Sequence, residues 1–171
     1  VYIDEIIQRG DHKWGMCGVC MLPQDEDIYN ALKKQKGEYN VIEMDSTTTV
    51  VKKIGSIVDV LWGHEHPEDV LYTLRKKSVR IVTFTVTEAG YFYHPSTKSL
   101  DFSNAALAHD LELYRAALIH YCSPTATSDT PAALTPNPRT LFGYLSIGML
   151  HRYLNQVKPF TVMSCDNIQG N

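Results

Sequence analysis

Three short apolar runs, each preceded by a longer segment with helical spacing, constrain this chain more than any other feature. The runs are Trp14–Met21, Val79–Thr87 and Phe160–Cys165. Short, nearly continuous apolar runs are typical of strands buried in a parallel sheet. Their alternation with helices predicts an α/β fold with a doubly wound parallel sheet. Right-handed crossovers would bring the carboxyl ends of these strands to one edge of the sheet.

Acidic or amide side chains follow each predicted strand. Asp25 follows the first strand, Glu88 the second and Asn167 the third. Because open α/β sheets bind ligands beyond the carboxyl ends of their strands, we expect these three side chains to share one edge and form a site. Asn167 offers both a donor and an acceptor on a short stem, which suits a substrate oxygen or a cofactor amide. The Asp166–Asn167 pair could instead cap a following helix, and its spacing leaves both interpretations open.

Between the first two runs the pattern changes to extended structure. β-branched residues dominate, so that Glu38–Met44 and Thr48–Val51 are predicted to form a hairpin and Ile57–Leu61 a further strand. A helix is then predicted to begin at Pro67, because proline suits the first helical position and acidic residues follow it.

Residues 114–137 interrupt the alternation of strands and helices. From Ser123 onward the segment is rich in proline and threonine, and it is longer than the loops that compact domains usually contain. We therefore predict that residues 114–137 form a loop insertion at the surface. A helix is expected to resume at Pro138 and to lead back to the last strand.

Composition narrows the class of protein. The 171 residues suffice for one domain with a substantial core. A net charge of −3 without a Lys/Arg block argues against a nucleic-acid partner. No apolar run approaches the roughly 18 to 20 residues of a membrane span, and the acidic opening Val1–Glu5 does not resemble a signal peptide. Four cysteines are too few for a disulfide framework, so a reduced, cytoplasmic protein is expected.

No metal site is predicted. Cys17 and Cys20 have CxxC spacing, but a zinc site would need a second ligand pair at a matching spacing. His64 and His66 lack a third ligand at a recognisable spacing, and we interpret them as the start of a helix. Cys17 and Cys165 lie in predicted strands, where we expect their thiols to behave as small core groups.

Five segments, in this order along the chain, resemble the polyol-specific long-chain dehydrogenase/reductase family, which includes mannitol 2-dehydrogenase and fructuronate reductase. The segments are Trp14–Met21, Ile54–Asp59, Thr85–Tyr91, Arg139–Tyr144 and Lys158–Asn167. The last of them (KPFTVMSCDN) is highly specific, and the others are strong in combination. The resemblance implies a cytoplasmic, NAD-dependent oxidoreductase that interconverts a sugar alcohol and a ketose without a metal.

The resemblance also implies roles for individual residues. Asp25 matches the acidic residue that hydrogen-bonds the adenosine ribose hydroxyls, a position where a carboxylate favours NAD over NADP. Thr87 and Glu88 lie in a turn that resembles part of the family's cofactor cleft. Asn167 matches the asparagine that holds the reacting oxygen at C2 of the substrate, next to the cofactor. Its amide would stabilise the alkoxide that develops during hydride transfer.

Two family features are not found in these residues. No Gly-rich turn of the GxGxxG type precedes the first helix, and the family's general base, a lysine, belongs to a C-terminal helical domain. The expectation is therefore that residues 1–171 are a partial NAD-binding Rossmann-type domain, lacking its first strand and the C-terminal helical domain and inactive alone. The alternative is a truncated, inactive Rossmann-like binding module, or an assembly domain that uses an exposed sheet edge. The sequence leaves the particular polyol and the oligomeric state open.

Overall fold

The computed structural model describes residues 2–94, 96–122 and 136–167, and the chain divides into two compact units. The first unit is Val1–Asp69 and the second is Val70–Asn171. Helices α1 to α6 are Tyr2–Gln8, Glu26–Lys34, Pro67–Arg75, Thr87–Gly90, Ala105–Cys122 and Leu141–Leu154. Strands β1 to β8 are Met16–Cys20, Tyr39–Met44, Thr49–Ile54, Ile57–Trp62, Ile81–Phe84, Tyr93–His94, Ser99–Leu100 and Thr161–Ser164.

The first unit contains a parallel strand pair and an antiparallel hairpin. Strands β1 and β4 run parallel, with Cys20 opposite Trp62 at their carboxyl ends. Strands β2 and β3 pair antiparallel from Tyr39–Ile54 to Met44–Thr49, so the predicted hairpin is confirmed. Because β1 and β4 are joined through α2 and this hairpin, the connection is a crossover, as a parallel pair requires.

A buried carboxylate ties α1 to the turn between β3 and β4. Asp4 is 6% exposed. One of its oxygens accepts from the backbone N–H of Gly55 at 2.8 Å, and the other accepts from the Gln8 side-chain amide at 2.7 Å. Tyr2, Ile3, Ile6 and Ile7 have helical spacing within α1, but this spacing gives no sign of the contact, since Gly55 lies 51 residues further along the chain than Asp4.

Gly37 is required where α2 turns into the hairpin. It has φ of 79°, and a methyl group there would clash with the backbone carbonyl oxygen of Ile57. Replacing Gly37 by alanine should lower the free energy of unfolding of the first unit by about 3 kcal/mol, from left-handed strain plus overpacking. Urea unfolding followed by tryptophan fluorescence would measure it.

Gly10 provides the matched control for that substitution. Its φ is 95°, yet a methyl group added there would meet no atom within 4 Å. Gly10→Ala should therefore carry only the backbone cost, about 1 kcal/mol. Equal losses in the two variants would show that the contact with Ile57 contributes nothing.

The core of the second unit lies between α3 and α6. Buried side chains of α3 and α6 supply most of it. They are Val70, Leu71, Leu74, Tyr144, Ile147 and Leu150. The two helices approach closely, because a methyl group on Gly148 would lie 3.1 Å from the Leu74 side chain. The start of α3 at Pro67 agrees with the sequence prediction.

A buried arginine holds the loops at the ends of these helices. Arg152 of α6 is 2% exposed. Its Nη1 donates to the carbonyl oxygens of Leu74 and Lys76, at 2.7 and 3.0 Å. Nη2 donates to Val79 at 3.0 Å, and Nε donates to Lys158 at 2.7 Å. The guanidinium thus joins the loop that enters β5 to the loop that enters β8.

Strands β5 and β8 form the parallel pair of the second unit. Their register runs from Ile81 opposite Thr161 to Phe84 opposite Ser164. The backbone N–H of Cys165 extends the ladder by donating to the Phe84 carbonyl at 2.8 Å. The chain passes through α5 and α6 between the two strands, so this connection is also a crossover with helices.

The predicted loop insertion at 114–137 is wrong in its first part. Helix α5 continues to Cys122, because the segment from Tyr114 to Ile119 contains alanine and leucine, which are strong helix formers. The segment rich in proline and threonine begins only at Ser123. Residues 123–135 lie outside the described part of the chain, and Thr140 caps the start of α6.

The expected burial of the strands is also wrong in part. Met16 and Val19 of β1 are 43% and 42% exposed, and Val162 and Met163 of β8 are 42% and 47% exposed. These exposures show that the faces of both strands are only partly covered. Among the described residues each of these strands also has a single hydrogen-bonded neighbour strand. Cys17 and Cys165 are likewise exposed rather than buried.

Neither a membrane-spanning helix nor a cluster of metal ligands occurs among the described residues. None of the described helices is both long and apolar enough to cross a membrane. In residues 2–94, 96–122 and 136–167, no group of three or more His, Cys, Asp and Glu side chains is placed to hold a metal ion.

Candidate functional site

A buried carboxylate connects the carboxyl ends of β5 and β8. Asp166 follows β8 by two residues and is 9% exposed. Its Oδ2 accepts from the backbone N–H of Val86 and its Oδ1 accepts from that of Thr87, both at 3.0 Å. These two amides follow the end of β5 by two and three residues, so one side chain spans the ends of two parallel strands.

Two hydroxyl groups also take part in the hydrogen bonding around Asp166. The Tyr91 hydroxyl donates to Asp166 Oδ2 at 2.9 Å and lies 2.5 Å from Ser164 Oγ. Ser164 Oγ in turn accepts from the backbone N–H of Asp166 at 3.3 Å. With the tyrosyl proton directed to the carboxylate, the serine hydroxyl donates to the tyrosyl oxygen, so each of these groups has a partner.

The hydrogen bonds also fix the charge of the carboxylate. Donation from the Val86 amide, followed by that from Thr87 and Tyr91, lowers the pKa of Asp166 below its usual value, although desolvation opposes the shift. Hydrogen bonds to the ionised form favour that form. Asp166 is therefore an anion at neutral pH, and it can accept all three donors at once.

Thr87 adopts a conformation that a threonine rarely takes. Its φ is 58°, in the left-handed region. A β-branched residue is a genuine outlier there, and such strain persists only where the surroundings impose it. The hydrogen bond from Thr87 N to Asp166 supplies a constraint of that kind. The short helix α4 begins at this residue.

Asn167 lies next to Asp166 and is exposed. Within residues 2–94, 96–122 and 136–167 its side chain has no hydrogen-bond partner, so its amide is available to a ligand. The alternative that Asp166 and Asn167 cap a following helix concerns residues 168–171, which lie outside the described ranges. Asp166 itself uses its carboxylate on the β5–α4 turn instead.

Asp25 lies at the carboxyl end of β1 in the first unit, as predicted. It is half-buried in a single 3₁₀ turn, Pro23–Asp25. Its Oδ2 accepts from the backbone N–H groups of Met21 and Leu22, at 3.2 and 3.0 Å. Among the described residues Oδ1 has no partner, so the carboxylate keeps an acceptor for a ligand hydroxyl. Together with desolvation, the larger effect, its charge raises the pKa of Cys20.

The structure places some of the predicted site residues together. Thr87 and Asn167 both adjoin Asp166, in the second unit. Glu88 lies in α4, and its side chain is outside the described part of the structure. Asp25 belongs to the first unit, so the expectation that Asp25, Glu88 and Asn167 share one edge stays a prediction.

Sequence reasoning missed Asp166 and Tyr91 as members of this site. The only signal for Asp166 was an acidic residue at the end of an apolar run, which capping also explains. Tyr91 had no signal, since its hydroxyl partners lie 73 and 75 residues away.

Comparison with known proteins identifies the group to which the chain belongs. The family described as the mannitol dehydrogenase Rossmann domain matches residues 1–171. The chain is similar to mannitol 2-dehydrogenase of Aspergillus fumigatus, with 34% identity over 172 residues that cover 100% of this chain and 30% of the relative. It is also 31% identical to mannitol 2-dehydrogenase of Pyricularia oryzae, covering 100% of this chain and 30% of that relative.

Solved structures agree with this result. A D-sorbitol dehydrogenase in substrate-free form matches 98% of this chain and 31% of its own chain, with a TM-score of 0.79 and 29% identity. Pseudomonas fluorescens mannitol 2-dehydrogenase, in a ternary complex with NAD and D-mannitol, matches 98% of this chain and 30% of its own, with a TM-score of 0.78 and 26% identity. The chain thus spans about 30% of the length of these relatives. Its fold is the α/β Rossmann fold, and the chain belongs to the mannitol dehydrogenase family, of which it matches the Rossmann domain.

Proposed function

We propose that the protein containing this chain is an NAD-dependent oxidoreductase that interconverts a sugar alcohol and a ketose of the mannitol/fructose type. These 171 residues would supply most of the cofactor domain. One observation carries the proposal: Asp166 joins the ends of two parallel strands and leaves the Asn167 amide exposed at that edge. Family membership and the complex of the Pseudomonas fluorescens relative with NAD and D-mannitol support it.

Asn167 has the chemistry required to hold the reacting oxygen. Its side-chain N–H would donate to the oxygen at C2, a carbonyl in the ketose and an alcohol in the polyol. When the carbonyl accepts a hydride, negative charge develops on that oxygen, and a fixed donor stabilises the charge without reorganising. The polyol direction also needs a base to take the alcohol proton, and we assign none to these 171 residues.

The residues proposed for the cofactor fit a dinucleotide without a 2′-phosphate. Asp25 has one carboxylate oxygen engaged by backbone amides and the other available. An available carboxylate oxygen accepts from a ribose hydroxyl and repels a phosphate, which favours NAD over NADP. Lys33 does not offset this charge, because its ammonium pairs with Asp59 at 2.9 Å. Thr87 and Glu88 are proposed to line the cofactor cleft from the β5–α4 turn. NAD, when bound, supplies the hydride chemistry.

A cytoplasmic location follows as part of the same proposal. Cys20 and Cys165 carry free thiols in the structure. Free thiols are the usual state in the reducing cytoplasm. The thiols support the location together with the proposed cofactor, which is a soluble metabolite.

The decisive experiment uses the full-length protein that contains this chain. NADH oxidation, followed at 340 nm with fructose and related ketoses, should show turnover, and NADPH should be a poorer reductant. NAD reduction with mannitol tests the reverse direction. The absence of turnover with every ketose and polyol tested would refute the proposal.

The alternative of an inactive binding module makes a different prediction. Such a module would bind no NADH, or would bind it without turnover. Calorimetry with NADH on the full-length protein separates these cases from an active enzyme. Micromolar binding together with turnover would exclude the inactive module.

A further inference from the structure

We propose that Asp166 is a positioning residue for the reaction, because its carboxylate fixes the Asn167 amide relative to the strained β5–α4 turn. The inference rests on the function proposed above and adds a residue to it. Asp166 has no assigned contact with substrate or cofactor. It acts through Asn167 on one side and through Thr87 on the other.

The first step is the rigidity of the backbone before Asn167. Cys165 N donates to the Phe84 carbonyl at 2.8 Å, and Asp166 N donates to Ser164 Oγ at 3.3 Å. The Asp166 carboxylate adds three acceptor contacts to groups that follow β5. Asn167 is therefore attached to a segment held from both strands, although its own side chain is exposed. A donor on a segment held in this way is already in place for the substrate oxygen on which charge develops.

The second step is the turn on the opposite side of the carboxylate. Thr87 N is held by Asp166 Oδ1 while Thr87 has φ of 58°. Without that acceptor, a threonine would relax toward a negative φ, and α4 would begin in a different direction. The Asp166 side chain thus fixes the relative positions of two neighbouring groups, the proposed substrate donor Asn167 and the proposed cofactor turn between β5 and α4.

An amide in place of the carboxylate cannot do this. Both carboxylate oxygens accept a backbone N–H, Oδ2 from Val86 and Oδ1 from Thr87. In Asp166→Asn, whichever way the side chain is turned, its NH₂ group would face one of these donors. One hydrogen bond would become a repulsive contact, so the turn and Asn167 would shift relative to each other.

The test is steady-state kinetics of the full-length protein with NADH and a ketose. Asp166→Asn should lower kcat about 100-fold, because a displacement of about 1 Å in a positioning group costs that much. The KM for the ketose should change less than about threefold, since groups that only position the reacting atoms act mainly on kcat. An unchanged kcat in a folded, active protein would overturn the inference while leaving the proposed function in place.

Asp110 provides the structural control. It is another buried carboxylate in the second unit, 3% exposed, and accepts from the backbone N–H groups of Arg139 and Thr140 at the start of α6. Asp110→Asn introduces the same kind of mismatch at a carboxylate whose backbone donors, Arg139 and Thr140, are not assigned to the proposed site. Its effect should appear as a lower melting temperature and a smaller amount of folded protein. The kcat per folded molecule should stay unchanged. If Asp110→Asn lowered kcat as much as Asp166→Asn, the positioning role would be refuted.

A second background keeps the test informative if Asp166→Asn does not fold. Thr87→Gly removes the cost of the positive φ, since glycine adopts it freely. Adding Asp166→Asn to Thr87→Gly should leave the circular dichroism spectrum unchanged and still lower kcat at least 10-fold. An equal kcat for Thr87→Gly and for the double variant Thr87→Gly/Asp166→Asn would contradict the inference. Absence of activity in the unaltered full-length protein would instead refute the proposed function, on which the inference rests.

Discussion

Replacing Arg152 by methionine should lower the free energy of unfolding of the second unit by about 3 to 5 kcal/mol. The guanidinium donates four hydrogen bonds to backbone carbonyls and is 2% exposed. It also lies over the Phe160 ring, with its central carbon 5.1 Å from the ring centroid. Methionine fills a similar volume but leaves these carbonyls without donors. Urea unfolding followed by circular dichroism would measure the loss.

Two further variants identify the cause of that loss. Arg80→Met makes the same chemical change at an exposed position, and it should alter the free energy of unfolding by no more than about 0.5 kcal/mol. Arg152→Lys keeps the positive charge, but a single ammonium group cannot reach all four carbonyls, so only part of the stability should return. A loss below about 1 kcal/mol in Arg152→Met would mean that water replaces the guanidinium.

Local patterns in the sequence predicted the elements that short-range rules govern. The hairpin follows from the β-branched residues of β2 and β3, and the start of α3 follows from Pro67. The parallel orientation of β5 with β8 agrees with the prediction drawn from alternating helices and apolar runs, whereas the pairing of β1 with β4 was not predicted. The assignments of the hairpin and of the start of α3 depend on residues within about 20 positions of one another, whereas the parallel orientation was inferred from the order of elements along the whole chain.

The contacts that hold the elements together could not be predicted in this way. Arg152 reaches Leu74 across 78 residues, and Asp166 reaches Val86 across 80. No periodicity connects such positions, because the pairing depends on the tertiary arrangement rather than on spacing. A single arginine or aspartate in an amphipathic pattern is normally interpreted as a surface residue. Both residues are instead buried and fully engaged.

The wrong boundary at 114–137 has a different origin. Proline and threonine after Ser123 are typical of a loop, but the prediction extended that signal back to Tyr114. The residues between them favour a helix by intrinsic propensity, and α5 continues through them. A composition signal therefore applies only to the residues that carry it.

The site was predictable in position but not in construction. Asn167 and Asp25 follow strands at their carboxyl ends, which the rule for open α/β sheets anticipates. The rule does not say what orients the ligand groups. In the structure, carboxylates accept backbone N–H groups beside these positions, at Asp25 in the first unit and at Asp166 in the second.

The largest effect on activity is expected from Asn167→Ala in the full-length protein. If Asn167 holds the developing alkoxide, kcat with a ketose should fall by about 100-fold to 1,000-fold, as when one donor to such an oxygen is removed. Because its side chain is exposed and has no partner among the described residues, the free energy of unfolding should change by no more than about 0.5 kcal/mol. Stopped-flow measurement of NADH oxidation would separate the hydride-transfer step from product release.

Two further variants test whether the effect is specific to the Asn167 amide: Asn40→Ala as a control, and the isosteric change Asn167→Asp. Asn40→Ala removes an exposed amide from the β2–β3 hairpin and should leave kcat unchanged. Asn167→Asp keeps the size but replaces the N–H donor by an anion, which would repel the developing charge, so the loss should equal or exceed that of alanine. Full activity in Asn167→Ala, or in Asn167→Asp, would show that another group holds the substrate oxygen. The Asp166 carboxylate would then be stabilising an edge of the sheet on which no reaction depends.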